Sequence, residues 1–296
     1  MWVISWICSL FSRPQEDDCL YVILPYFNFT QSSLREKLYT EFVARYKDVK
    51  GIKLVESKLS PTHGDCLWYK ENLINHAIRT QLPNNWKYVA WIDADITFIN
   101  PNWVSDTKNR LETNDVVQLF QTCVNMGQKT EVIKIDKSFV YMNNESGKKW
   151  TKTHVYGFWH PGYAWACTRD AYEKMGGLVD FGILGSGDHH MALAFIGQVE
   201  NSRPDSIHPV YQKNLLEFQD RVKYFKIDYT PGTILHHWHG DLVNRRYQDR
   251  WKILTKSVYN PDEDIVKVDG IIKYTSVGKS RLENLIIQYF IDRCEI

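Results

Sequence analysis

Two carboxylates one residue apart, Asp93 and Asp95, close the apolar run Trp86-Lys87-Tyr88-Val89-Ala90-Trp91-Ile92. Hard oxygen donors at this spacing suit Mg²⁺ or Mn²⁺ and leave positions open for phosphate oxygens. The competing reading is a solvated turn after a strand. A second cluster runs Phe181-Gly182-Ile183-Leu184-Gly185-Ser186-Gly187-Asp188-His189-His190. Its glycines let backbone approach a ligand closely. At a helix N-terminus the free N–H groups favour an ionised carboxylate. Asp188 is therefore placed either to take a proton from a hydroxyl or to cap the helix. His189 and His190 are packing or supporting residues.

The third cluster is His236-His237-Trp238-His239-Gly240-Asp241. Imidazole completes divalent sites well, although strand alternation means that His237 and His239 need not face one ion. His239 is the favoured ligand, ahead of His237, and a polar turn against Trp238 is the alternative. Arg245, Arg246, Arg250 and Lys252 follow, interleaved with Tyr247 and Trp251. Guanidinium forks grip phosphate bidentately; a solvated basic face reads equally well. Trp159-His160-Pro161-Gly162-Tyr163-Ala164-Trp165-Ala166 sets small residues beside aromatic platforms, which suits a sugar-ring pocket or a tightly packed sheet.

The elements that must position these groups alternate. Cys19 to Leu24 reads as a strand ended by Pro25, Ser33 with Glu36 as a capping box opening a helix to about Tyr46, Gly51 to Glu56 as a strand, and Leu67 to Arg79 as a helix. With the run ending at Asp93, this is strand–helix–strand–helix–strand, which predicts a parallel sheet flanked by helices and ligands at the strands' carboxyl ends. Further on come a short helix through Leu111, a strand over 115–121, a polar hairpin or flap over 122–150 and an aromatic strand over 155–168. A helix over 169–175 is closed by Gly176-Gly177, and others run over 188–196, 206–224 and 244–255. The end reads as a strand turn at Asp269-Gly270 and a helix from about Arg281 to Asp292.

The chain of 296 residues is long enough for one large core, and it shows no repeat or low-complexity linker. The expectation is an arm over 1–18, a single domain over 19–255 and a C-terminal piece over 256–296 packed on it. A net charge of +1 excludes a global field toward nucleic acid or anionic membrane. Cys8, Cys19, Cys66, Cys123, Cys167 and Cys294 are scattered, without Cys-x-x-Cys, which argues for free thiols and a cytoplasmic setting. Met1 to Phe11 is apolar but too short to span a bilayer of ~20 helical residues.

The order of these motifs resembles the GT-A class of nucleotide-sugar glycosyltransferases. Leu24-Pro25-Tyr26-Phe27-Asn28 is similar to the first-strand pattern of family 2 enzymes, and Lys70-Glu71-Asn72-Leu73-Ile74-Asn75 to their donor-binding helix. Gly162-Tyr163-Ala164-Trp165-Ala166 with Gly176-Gly177 resembles the mid-chain signature of that family and of β-1,4-galactosyltransferases. Gly187-Asp188 stands where their acidic segment is usually Glu-Asp, a departure. Asp188 to Met191 with His237 to Gly240 and Arg245-Arg246-Tyr247 also looks like bacteriophage glycosyltransferases.

The resemblance implies a Rossmann-like, mostly parallel α/β sheet with a donor half over about 19–100 and an acceptor half over about 101–255. It implies Mn²⁺ or Mg²⁺ on Asp93, Asp95 and His239. Tyr26, Asn28, Lys70, Asn72, Arg245 and Arg246 would hold a UDP-sugar. Asp188 would be the base, with Trp159, Tyr163, Trp165 and His189 facing the acceptor. That acceptor would be a hydroxymethylated pyrimidine in viral DNA, in a host cytoplasm, or else a surface glycan or glycolipid. A metal-dependent phosphodiesterase and a non-catalytic carbohydrate-binding protein are the competing classes.

Overall fold

The computed structural model describes residues 17–60, 62, 64–145, 150, 159–246 and 249–293. The arm before Asp17, Pro61, the start of the aromatic strand at 155–158, Tyr247, Cys8 and Cys294 lie outside the described residues.

In chain order the elements are β1 (Asp17–Phe27), α1 (Ser33–Tyr46), β2 (Ile52–Leu59), α2 (Lys70–Gln81), β3 (Trp86–Ile92), β4 (Ile96–Phe98), α3 (Trp103–Leu111) and β5 (Val116–Gln118). There follow β6 (Thr122–Met126), β7 (Val132–Ser138), α4 (Phe139–Glu145), β8 (Trp159–His160), β9 (Ala164–Thr168), α5 (Arg169–Met175), α6 (Gly187–Phe195) and α7 (Pro209–Val222). The chain then runs through β10 (Ile227–Tyr229), β11 (Thr233–His236), α8 (Asp249–Lys256), α9 (Pro261–Asp264), β12 (Ile265–Val268), β13 (Ile271–Tyr274) and α10 (Ser276–Asp292).

The fold is mixed α/β. Its main sheet has the order β10-β5-β9-β3-β1-β2. β2, β1 and β3 run parallel, whereas β9 runs antiparallel to both β3 and β5. Alternate residues of β1 serve two cores, as a sheet covered on both faces requires. Tyr21 and Ile23 pack with α2, α6 and α7, and Leu20, Val22 and Leu24 pack with α1 and α3. A second sheet, β4-β11-β6-β7-β8, brings the histidine-bearing end of β11 beside the end of β3.

The structure corrects several boundaries. Pro25 does not end β1, which pairs with β2 through Phe27. The partnership with β3 stops at Ile23, so at Pro25 one side of β1 is already an edge and a missing N–H is tolerated there. The first helix is capped one residue earlier than the Ser33 pattern suggests, because the Ser32 hydroxyl accepts from the Arg35 N–H at 3.2 Å. The polar stretch over 122–150 does hold the expected hairpin, β6 paired antiparallel with β7, and continues into α4. The basic helix starts at Asp249, after a single 3₁₀ turn at Leu242–Arg245. The last helix begins five residues before Arg281 because Thr275 caps it through the Gly278 N–H. The four described cysteines are free thiols. Among the described residues no helix is long and apolar enough to cross a membrane.

Candidate active site

Two cavities, of about 130 and 210 Å³, adjoin at the carboxyl ends of β1 and β3 and share Trp68, Lys70, Asp93, Tyr163, Arg245 and Arg293 as walls. The first adds Tyr26, Asp95, His236 and His239. The second adds Glu71, Trp159, Asp188, His189 and Arg250.

Asp93 and Asp95 lie just past β3, and they part company. Asp93 binds the Tyr163 carbonyl through its N–H at 2.8 Å, while its Oδ1 takes the Lys70 ammonium at 2.7 Å. Lys70, the first residue of α2 and nearly inaccessible, reaches Asp188 Oδ2 at 2.8 Å as well. Burial opposes its charge, but Asp188 and Asp93 outweigh burial and raise its pKa, so it remains an ammonium bridging the two acids. Burial in turn lifts the Asp93 carboxyl to about 7, against the pull of Lys70 and with help from Asp95 and Asp188.

Asp95 turns the other way. Its carbonyl accepts the His237 N–H at 2.8 Å, and its Oδ2 lies 2.9 Å from His239 Nε2 and 3.7 Å from His236 Nε2. Burial resists ionisation, yet the contacts with His239 and His236 hold Asp95 well below the usual carboxylate range. One ligand atom from each of Asp95, His236 and His239 falls within 4.8 Å of the others.

The tautomer of His236 follows from its neighbours. The Asn125 amide nitrogen donates to Asp136 Oδ2 at 2.9 Å, so its oxygen faces His236 Nδ1 at 2.9 Å and also accepts from the Tyr163 hydroxyl at 2.9 Å. His236 therefore donates from Nδ1 and presents a bare Nε2 lone pair, which has no hydrogen-bond partner. Asp95 Oδ1 and His239 Nδ1 are likewise buried without partners. His239 Nε2 lies 2.6 Å from Arg245 Nη2 as well as beside the Asp95 carboxylate. A single ring nitrogen cannot donate to the carboxylate and accept from the guanidinium together; a cation between the imidazole and the carboxylate would take the ring lone pair and displace the Arg245 contact. One carboxylate and two imidazoles thus fit a divalent ion with mixed O/N preference, and suit Mn²⁺ better than Mg²⁺.

Asp188 sits in the first turn of α6, after Ser186 at a left-handed φ of 83°. Its Oδ2 is held by Lys70, and its Oδ1 is buried with no partner. Asp188 is also a wall of the second cavity. His189 lines the same cavity as a neutral ring, since burial, helped by Arg250, pushes it down to about 4.

Other expected residues divide. Tyr26 lines the first cavity, and Trp159 and Tyr163 line the second. Trp165 does not: it is core, with its indole N–H on the Pro161 carbonyl at 2.8 Å. Asn28 is consumed by its own turn, bonding Ser32 through both amide atoms. Asn72 faces the C-terminal hairpin, donating to the Gly270 carbonyl at 2.9 Å and accepting from the Ile272 N–H at 3.1 Å. Arg246 is exposed and paired with Asp249 and Asp292. His237 turns away to Thr97 Oγ1 at 2.8 Å. Asp93 lines both cavities, but Lys70 holds its Oδ1 and it stands outside the cluster formed by Asp95, His236 and His239. His236 and Glu71 are the residues sequence reasoning passed over. The three-residue spacing of His236 and His239 was the available signal for the first.

No protein-family model and no curated protein match the sequence. Solved structures do. The chain is similar to a point mutant of Drosophila β-1,4-galactosyltransferase 7 in complex with manganese, UDP-Gal and xylobiose. The identity is 12%, with 62% of each chain covered and a TM-score of 0.36, so this chain spans less than two thirds of that structure's length. A structure of that enzyme's catalytic domain with xylobiose gives 14%, 70% of this chain and 82% of that one, and a TM-score of 0.34. A glycosyltransferase involved in glycosylating the major capsid of the virus PBCV-1 gives 12%, 78% and 98%, and 0.34. At these values the likenesses assign no chemistry, which is read from the chain's own residues.

Proposed function

We propose that this chain is a metal-dependent glycosyltransferase that moves a sugar from a nucleotide-sugar, first of all a UDP-sugar, to a hydroxyl of a glycan acceptor. The observation that carries the reading is the pairing of a cation-ready trio, Asp95, His236 and His239, with an adjoining cavity lined by Asp188, whose second carboxylate oxygen has no hydrogen-bond partner.

Asp95, His236 and His239 would hold Mn²⁺, which when bound neutralises charge on a leaving diphosphate. Arg245 stands where it adds a fork to the same phosphates. Tyr26 walls the donor cavity. Lys70 orients Asp188 by holding Oδ2 and leaves Oδ1 for the acceptor proton. Trp159 and His160, the latter stacked on Tyr163, line the second cavity as aromatic surface that would meet a sugar ring. A base on the acceptor side implies direct displacement with inversion at the anomeric carbon.

A DNA acceptor draws no support from the basic helix. Arg246 pairs with Asp249 and Asp292, Lys252 pairs with Asp249, and Arg250 is buried, so the expected cationic face is largely compensated. Labelled UDP-sugars offered with Mn²⁺ or Mg²⁺, to glycans and to hydroxymethylated DNA in parallel, test both parts. UDP-Gal with xylobiose, held by the similar Drosophila structure, is the first pair to try. Label entering glycan with Mn²⁺ supports the reading. Label entering DNA alone reverses the acceptor assignment, and metal-independent or absent transfer ends the reading.

A further inference from the structure

Glu71 is a buried carboxyl group that the mechanism above does not use. It follows Lys70 in the first turn of α2, lines the same cavity as Asp188, and accepts from the Trp68 indole N–H at 3.1 Å. Its position explains an oddity on the facing helix. A Cβ added to Gly187 would overlap the Glu71 carboxyl group, yet Gly187 has an ordinary φ. A side chain at position 187 would therefore have to displace the Glu71 carboxyl group, and the backbone itself makes no demand for glycine there. Position 187 directly precedes Asp188, and it is where the resemblance leads one to expect an acidic side chain. Ser186, on the other side, also lines the cavity, with its hydroxyl buried and without a hydrogen-bond partner.

We propose that Glu71 is the second carboxyl group of the acceptor site, delivered from α2 into the space that a side chain at position 187 would fill, where it binds an acceptor hydroxyl neighbouring the one that meets Asp188. This rests on the glycosyltransferase reading. Burial and the nearby Asp188 charge raise Glu71 to about 8, against Lys70 and with Asp93 adding. At neutral pH it is a neutral acid, able to donate to a sugar oxygen while keeping its bond from Trp68. A carboxyl serving only to anchor Trp68 would leave the acceptor untouched.

The test moves the carboxyl between elements. With UDP-galactose and xylobiose as probes, Glu71→Ala lowers kcat/KM for the acceptor by roughly tenfold or more, with the donor KM unchanged. Glu71→Gln retains most of it. Gly187→Glu alone is poorly active, and the double variant Glu71→Ala with Gly187→Glu recovers activity over either single one. Independently of turnover, Gly187→Ala lowers the melting temperature in the parent but not in the Glu71→Ala background, as a double-mutant cycle for touching groups requires. Wild-type acceptor kinetics in Glu71→Ala, no recovery in a stably folded double variant, or additive melting temperatures would overturn the proposal. A parent protein that transfers no sugar at all strikes the glycosyltransferase reading itself and leaves the melting cycle to decide the contact.

Discussion

Asp93 and Asp95 are separated by one residue and belong to opposite corners of the site. In the Lys70 corner, Asp93, Asp188 and Glu71 crowd one buried ammonium, and burial pushes Asp93 and Glu71 upward. In the histidine corner, Asp95 meets two imidazoles and is held far below its usual range, with Asp95 Oδ1 and His236 Nε2 left without hydrogen-bond partners. One corner is filled by the protein's own cation and holds the proposed base; the other offers ligand atoms that could hold a cation from outside. Two identical side chains thus acquire different tasks from what the neighbouring elements bring to them.

The contrast is sharpest under substitution. Asp95→Ala or His236→Ala should cut Mn²⁺-dependent UDP release by roughly a thousandfold, several kcal/mol of stabilisation at the transition state. His237→Ala should leave it within about twofold, as its ring bonds Thr97 instead. Equal losses at His236 and His237 would break the distinction. Asp188→Asn should lower kcat by about 10²–10⁴ with the donor KM retained, followed by steady-state kinetics.

In the filled corner the readout is stability. Lys70→Met leaves Asp93 and Asp188 facing each other without their shared cation, and should cost about 3–5 kcal/mol in denaturant unfolding. Asn72→Ala should cost about 1–3 kcal/mol, through the unpaired Ile272 N–H, and leave the donor KM alone; a raised KM would return Asn72 to the donor pocket. The smallest effect is a pH slope. The folded-state pKa of Glu71 lies above its unfolded value, so its neutral form stabilises the fold at low pH and that contribution fades as pH rises from about 4.5 through 8. Glu71→Gln should flatten stability against pH across that window, measured by melting temperature.

How much of this was legible in sequence depended on the kind of signal. β3 announced itself through an apolar run, because a buried strand needs little else. Asp188 at a helix start was legible from its glycines. His236 was named within its cluster but passed over. Alternation along β11 cannot say where the strand stops, and past His236 the chain bends so that residues three apart converge on Asp95. Asn28 and Asn72 were misassigned for a different reason. An amide that binds a ligand and one that binds a distant loop look identical until the partner is seen. Glu71 was hidden because an acid in a helix's first turn already has a bland explanation in the dipole.

The Asn72 staple carries one last consequence, for the time at which the site comes into being. It joins α2 to Gly270 and Ile272 across 198 and 200 residues. The helix that presents Lys70 and Glu71 is thus clamped by a segment made some 198 to 200 residues after Asn72. A nascent chain holding all three sequence clusters still lacks that clamp, which closes only after the hairpin has emerged and docked.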